Sequence, residues 1–269
     1  MKIMTSVGVI ALAAGMAQAQ FAGVNGYRSD ARIFNDFTGS SLTINGTNRP
    51  VQNSQALPAG SVLYHEVMAP FEAGNFANKH VAWLSTDGGA SRAASSVTET
   101  WSLNFNVFMN ATNASPRKEA GIEIHQPRPA LGYTDEGQVL IASDNGEVAV
   151  FGATMPFTGF GTGVYTLGTT ATVSFNYYAP GVVAANGAYR LIFTDAVTGV
   201  HDSGFKIWGT EPDGINGLTG AFVGLKDQNQ RNLFTGEVID VNYTNVMIPA
   251  PAGAALLGLA GLAMGRRRR

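Results

Sequence analysis

The sequence predicts an all-β protein, an antiparallel β-sandwich, on three observations. Apolar and polar residues alternate with a period of two in several separate stretches. Turn-forming residues, many of the 33 glycines among them, punctuate the intervals between those stretches. No stretch carries a sustained apolar stripe at the 3.6-residue period of a helix. Cysteine is absent, so neither disulfides nor thiolate metal sites can staple the fold. Stability has to come from a packed core, and roughly 225 residues between the two chain ends can bury one.

The chain opens with Met1-Lys2, a minimal positive start, followed by a short apolar core from Val7 to Ala14. Ala17-Gln18-Ala19 is an Ala-x-Ala cleavage site, so residues 1–19 are expected to act as a secretory signal peptide that leaves Gln20 as the new N-terminus. A single β-sandwich domain is expected over residues 20–246. Short strands are expected at Ser61 to Val67, Gly121 to His125, Tyr189 to Thr194 and Ala221 to Leu225. The clearest alternation runs through Trp101, Leu103, Phe105, Val107 and Met109. It recurs at Ala171, Val173, Phe175 and Tyr177, and at Ile239, Val241 and Tyr243. Val139 to Ala142 and Val148 to Phe151 flank Asp144-Asn145-Gly146, which predicts a hairpin because Asn-Gly tolerates positive φ at both central positions. Ala90 to Ser96 and Ala111 to Ser115 are small, polar and read as mobile, but are too short to divide the domain.

The last residues have a three-part order: Ile248-Pro249-Ala250-Pro251, an apolar run from Ala252 to Gly265, and Arg266, Arg267, Arg268 and Arg269. In helix that run rises roughly 21 Å, short of the ~30 Å hydrocarbon core, so it suits transient rather than permanent anchoring. The arginines stay cytoplasmic by the positive-inside rule, and Pro249 and Pro251 keep the preceding backbone extended. This order resembles the PEP-CTERM sorting signal of Gram-negative and related bacteria. The resemblance implies export by the secretion machinery, processing over residues 247–269 by an exosortase-like membrane enzyme, and a cell-surface or extracellular destination. Ala250 departs from the pattern, which has Glu between the prolines.

The whole chain holds 17 basic and 19 acidic residues. Removing Lys2 and the four terminal arginines leaves 12 basic against 19 acidic, a net charge of −7. No basic stripe or recognition motif points to nucleic acid.

The strand order is similar to that of the concanavalin A-like lectin/glucanase jelly roll. The matching pieces are an opening strand at Phe34 to Phe37, the strand from Trp101 to Met109, and Gly121 to His125. The Gln138 to Phe151 hairpin, Thr170 to Tyr178, and a closing strand from Glu237 to Val246 complete the set. The resemblance implies that the closing strand pairs back beside the opening one.

Glycoside hydrolases of this architecture carry Glu-x-Asp-x-Glu along one strand, which sets three carboxylates on one face. Here Glu123-Ile124-His125-Gln126-Pro127 has His and Pro at the later positions, and Glu237 and Asp240 fall on opposite faces. Glu123-Ile124-His125 also resembles the Gln-Ile/Val-His strand of alginate lyase-like enzymes. The carboxylate would repel a uronate, the Tyr-Phe-Lys-Ala-Gly strand is absent, and Phe175 to Gly181 lacks its Lys. No catalytic residue is therefore assigned. A noncatalytic sugar site needs an aromatic platform and a few fixed polar groups, which Glu123, His125, Tyr133, Tyr178 and Trp208 could supply if the strands bring them together. Alternatively, Glu123 and His125 are outward polar groups of a half-buried strand, and Trp208 is a core or edge aromatic.

Asp87-Gly88-Gly89, Asp144 to Glu147 and Asp213-Gly214 are oxygen-rich turns that could face Ca²⁺, but none has a calcium-loop spacing and Asp and Asn favour turns anyway. His65, His80, His125 and His201 show no paired-ligand spacing, so no metal site or cofactor is expected. The expectation is an exported cell-surface or extracellular-matrix protein, noncatalytic and polysaccharide-binding. The alternative is a secreted polysaccharide lyase or glycoside hydrolase of the jelly-roll class.

Overall fold

The computed structural model describes residues 23–49, 54–70, 74–96, 99–230 and 236–248. The expected signal peptide, Pro249, Pro251, the C-terminal apolar helix and Arg266 to Arg269 lie outside the described residues. Among the described residues no helix is long and apolar enough to cross a membrane.

The chain folds as two antiparallel sheets packed face to face, a β-sandwich of the jelly-roll type. The first sheet runs β11 (Thr158–Gly161), β10 (Val148–Gly152), β9 (Tyr133–Ala142) and β8 (Lys118–Arg128). It continues through β16 (Phe222–Gln230), β6 (Ala77–Ser85), β1 (Gly26–Asn35) and β4 (Ser54–Pro58). The second runs β14 (Gly199–Asp202), β13 (Ala188–Asp195), β12 (Thr170–Tyr178) and β7 (Trp101–Ala111). It ends with β17 (Val238–Met247), β5 (Val62–Val67), β2 (Ser41–Ile44) and β3 (Thr47–Asn48), while β15 (Lys206–Ile207) pairs with β13.

The period-two alternation converts directly into packing. Along β7, Trp101, Leu103, Phe105, Val107 and Met109 are all buried and meet Ile122, Ile124, Val139, Ile141, Val223 and Leu225 of the first sheet in one core. Each such side chain contributes roughly 1.5–3 kcal/mol by leaving water, which is how a cysteine-free domain holds together.

Three expectations are corrected. The closing strand does not pair beside the opening one: β17 lies between β7 and β5 in the second sheet, because its inward residues Ile239, Val241 and Tyr243 complete the second sheet's core face. The β9–β10 hairpin turns over five residues, and of the Asn145-Gly146 pair only Gly146 has positive φ, at 64°. A Cβ on Gly146 would stand 2.3 Å from the Tyr165 carbonyl oxygen, so the turn requires glycine there for space as well as for φ. Ala90 to Ser96, read as mobile, is pinned to the sandwich. Ala93 N–H donates to the Leu84 carbonyl at 2.7 Å and Ser95 N–H to that of Ala221 at 2.9 Å.

Candidate functional site

The site forms on the face of the first sheet turned away from the core. On β8, Ile122 and Ile124 enter the core, so Glu119, Gly121, Glu123 and His125 project to the other side. Register carries this face across the sheet. Glu123 stands opposite Gly224 of β16 and Gln138 of β9, Gly224 opposite Trp83 of β6, and Gln138 opposite Phe151 of β10. One step along, His125 pairs with Phe222 and Glu136. The two glycines keep the middle of this face bare: a Cβ on Gly224 would meet Val81 Cγ1 at 2.5 Å, and one on Gly121 would meet the Val139 carbonyl oxygen at 1.9 Å.

Long polar side chains lie across that gap and bury one another. The Lys79 ammonium donates to Glu123 Oε1 in a short, almost wholly buried ion pair. His125 Nε2 lies 3.1 Å from the same oxygen, and the His125 ring rests 4.6 Å from that of Trp83. Burial alone would raise the Glu123 carboxyl, but the His125 hydrogen bond and the charges of Lys226 and Lys79 outweigh it and hold the group below the usual carboxylate range. Glu123 is therefore ionised at neutral pH and can only accept, so His125 Nε2 must carry a proton. Beside this cluster, Lys226 Nζ donates to Glu119 Oε2 at 2.9 Å and to Gln138 Oε1. Arg92 pairs with Asp30 and lies 4.5 Å above the Trp83 ring.

A cleft of about 200 Å³ opens here, lined by Lys79, Glu123, Glu136, Gln138, Phe151 and Gln228 together with Gly137. Glu136 is 55 % exposed and reaches Lys79 and His125 only at 3.7 and 3.6 Å. Among the described residues neither Glu136 nor Gln228 makes a side-chain hydrogen bond within 3.5 Å, so both can take a ligand's hydroxyl or amine.

Of the residues expected to form a sugar site, Glu123 and His125 lie together at this cleft. Tyr133, 53 % exposed, begins β9 on the same sheet but does not line the cleft. Tyr178 belongs to the other sheet, where its ring packs 5.3 Å from Phe205, so it cannot reach Glu123. Trp208 is 2 % exposed and is held edge-on between Tyr177 and Tyr189 at 5.8 and 5.4 Å, which makes it a core aromatic. The partners that do converge are Lys79, Glu136, Gln138, Phe151 and Gln228, which the strand patterns left unmarked. Only the Gln138 to Phe151 hairpin signal touched them, since it placed Gln138 and Phe151 on adjacent strands.

Among the described residues, two groups of side chains bring metal-ligating atoms within 4.8 Å of one another. Glu123, His125 and Glu136 do so at the cleft, where the Lys79 ammonium already supplies the cation. Glu66, His80 and Asp227 do so in the sealed interior between the sheets. There Arg32 N–H donates to His80 Nδ1 at 2.8 Å, so Nε2 carries the proton and faces Glu66 Oε2 at 3.3 Å. Neither ring nitrogen then has a free lone pair for a metal. Asn78 Nδ2 donates to Glu66 Oε1 at 2.6 Å and Asn229 Nδ2 to Glu66 Oε2 at 2.5 Å. Burial opposes the Glu66 charge, but His80 and these amides outweigh it and hold its carboxyl low. Asp227 is pushed the other way, well above the usual range, first by burial and then by the neighbouring Glu66 charge. The oxygen-rich turns carry other partners: Asp213 takes the Arg128 guanidinium at 2.8 Å, Asp144 that of Arg117 at 3.1 Å, and Asp87 the Ser91 hydroxyl at 2.6 Å.

No protein-family model and no curated protein sequence matches the chain. Among solved structures it is similar to the family 7 alginate lyase A1-II′ (TM-score 0.47, 11% identity, 80% of this chain and 94% of that one). It is similar also to the marine PL-14 alginate lyase from Aplysia kurodai (TM-score 0.44, 10% identity, 83% and 98%). A third likeness is to lectin II from Ulex europaeus (TM-score 0.40, 8% identity, 73% and 94%).

Proposed function

We propose that the protein is an exported surface or extracellular-matrix component that holds polysaccharide in the cleft of the first sheet without cleaving it. The observation that carries the binding role is the pairing of unengaged polar groups with a rigid floor. Glu136 and Gln228 have hydrogen-bonding capacity to spare, Phe151 offers a ring, and the Lys79–Glu123–His125 cluster beneath them is fixed by its own contacts. Sugars are recognised by this combination of an aromatic surface with a few fixed polar groups. The Glu123 carboxylate engages His125 Nε2 and so leaves Nδ1 as the imidazole atom able to accept a proton.

A cleaving enzyme is the second reading. Glu123 and Glu136 bring carboxylate oxygens within 4.8 Å, comparable to the separation of about 5 Å between the two carboxyls of retaining glycosidases. The export reading is supported by the Ala17-Gln18-Ala19 site and the Pro–apolar–Arg tail, with the secretion machinery and an exosortase-like enzyme as partners.

The test is to incubate the purified protein with neutral, amine-bearing and uronate glycans while following both retention and products. Retention without new reducing ends or unsaturated ultraviolet absorbance, weakened in Gln228→Ala and Phe151→Ala, is the expected result. Product formation abolished by Glu136→Gln or His125→Ala would replace the binding reading with the enzymatic one.

A further inference from the structure

We infer that the cleft selects a polysaccharide carrying free amines over one carrying uronate carboxylates, a selectivity that presupposes the saccharide-binding role proposed above. The charges facing the cleft decide this. Lys79, the one cation lining the cleft among the described residues, is committed to Glu123, and its neighbours Lys226 and Arg92 are held by Glu119 and Gln138 and by Asp30, while Arg28, on the same face opposite Trp83, does not line the cleft. A substrate carboxylate entering the cleft would meet Glu123 and Glu136, and the only cation lining the cleft among the described residues, Lys79, is already paired. It would have to break one of these buried pairs, and removing one partner of such a pair leaves an uncompensated charge.

An ammonium group meets the opposite situation. With the Lys79 ammonium paired to Glu123, the Glu136 carboxylate is the charge left facing the cleft. That carboxylate is half exposed and its protein contacts are long, 3.6 Å to His125 and 3.7 Å to Lys79, so both oxygens can accept from a sugar amine. Gln138, whose oxygen is taken by Lys226, keeps its amide N–H groups for hydroxyls, and Gln228 offers both a donor and an acceptor. The Phe151 ring lines the same cleft, and an aromatic face favours a nearby cation. At about 200 Å³ the cleft is smaller than the 300–1,000 Å³ or so of pockets that enclose a whole ligand, which fits a grip on one residue of a longer chain.

The experiment is calorimetric titration of the purified protein at low ionic strength with three oligosaccharide probes of matched length. These are glucosamine oligomers, their fully N-acetylated counterparts, and oligouronates. The expected order of affinity is amine, then N-acetyl, then uronate. Glu136→Gln should weaken amine binding about tenfold, the difference between a charge-assisted and a neutral hydrogen bond, and weaken N-acetyl binding less. Added salt should narrow the preference. Because Glu136 is half exposed, the variant should keep the wild-type melting temperature, which separates loss of the contact from loss of the fold. Equal affinity for amine and N-acetyl probes, or tighter binding of the uronate, would overturn the selectivity and leave the saccharide-binding role standing. Failure to bind any of the three would overturn both.

Discussion

Asp227 gives the sharpest test of how the two sheets are joined. Its side chain is fully buried beside ionised Glu66, its Oδ1 has no hydrogen-bond partner among the described residues, and burial followed by the Glu66 charge raises its carboxyl well above the usual range. The folded protein therefore keeps Asp227 protonated where the unfolded chain, with a carboxyl near pH 3.9, releases the proton. A raised folded value gives stability that is complete below the unfolded value and is lost as pH rises toward the folded one. While the two states differ by one proton, unfolding free energy falls by about 1.4 kcal/mol per pH unit. Asp227→Asn keeps the shape, removes the titration and provides an amide donor beside the unpartnered Asn229 Oδ1. Urea unfolding of wild type and variant at intervals from about pH 4 to 7 should show the variant gaining on wild type as pH rises, with a difference slope near 1.4 kcal/mol per unit over the titrating range. Parallel curves for the two proteins would refute the claim that Asp227 folds in its neutral form.

Glu123→Gln should destabilise the fold by about 3–5 kcal/mol, because it leaves the buried Lys79 ammonium without its principal counter-charge; thermal melting reads this directly. Gly121→Ala should cost more than about 1–3 kcal/mol and shift the urea midpoint, since the residue sits at φ 128° and its Cβ would stand 1.9 Å from the Val139 carbonyl oxygen. In an exporting host, Pro251→Ala should block processing of the tail while Ala250→Glu leaves it intact, as followed by the mass of the released protein. Processing unaffected by Pro251→Ala would remove the extended proline geometry as the recognised feature.

Strands whose inner face is wholly apolar and outer face wholly polar, such as β7, β12 and the inner part of β17, were legible from alternation alone. Strand β6 was not, although it is central to the first sheet. Its Asn78 and His80 turn inward to Glu66 while Lys79 turns outward to Glu123, so polar residues occupy both faces and the period disappears. The same cause hid half of the site. Glu123 and His125 share a strand and stand two apart in sequence, whereas Glu136, Gln228 and Lys79 reach them only through the pairing of β8 with β9 and β16 and of β16 with β6. A single chain does not display that register before the strands are paired. Trp208 was open between a sugar-stacking ring and a core or edge aromatic, and the structure makes it a core aromatic. Gly209 and the Glu211-Pro212-Asp213-Gly214 turn beside it do not decide between the two, and the segment folds back so that the ring fills the core beside Tyr177 and Tyr189.

The central claim, that the outer face of the first sheet is where this protein meets saccharide, is tested most directly by amide and side-chain NMR during titration with glucosamine oligomers. The account predicts shift changes confined to Glu123, His125, Glu136, Gln138, Phe151 and Gln228. Changes centred instead on Tyr178 and Phe205 of the second sheet, with the cleft residues unmoved, would contradict it.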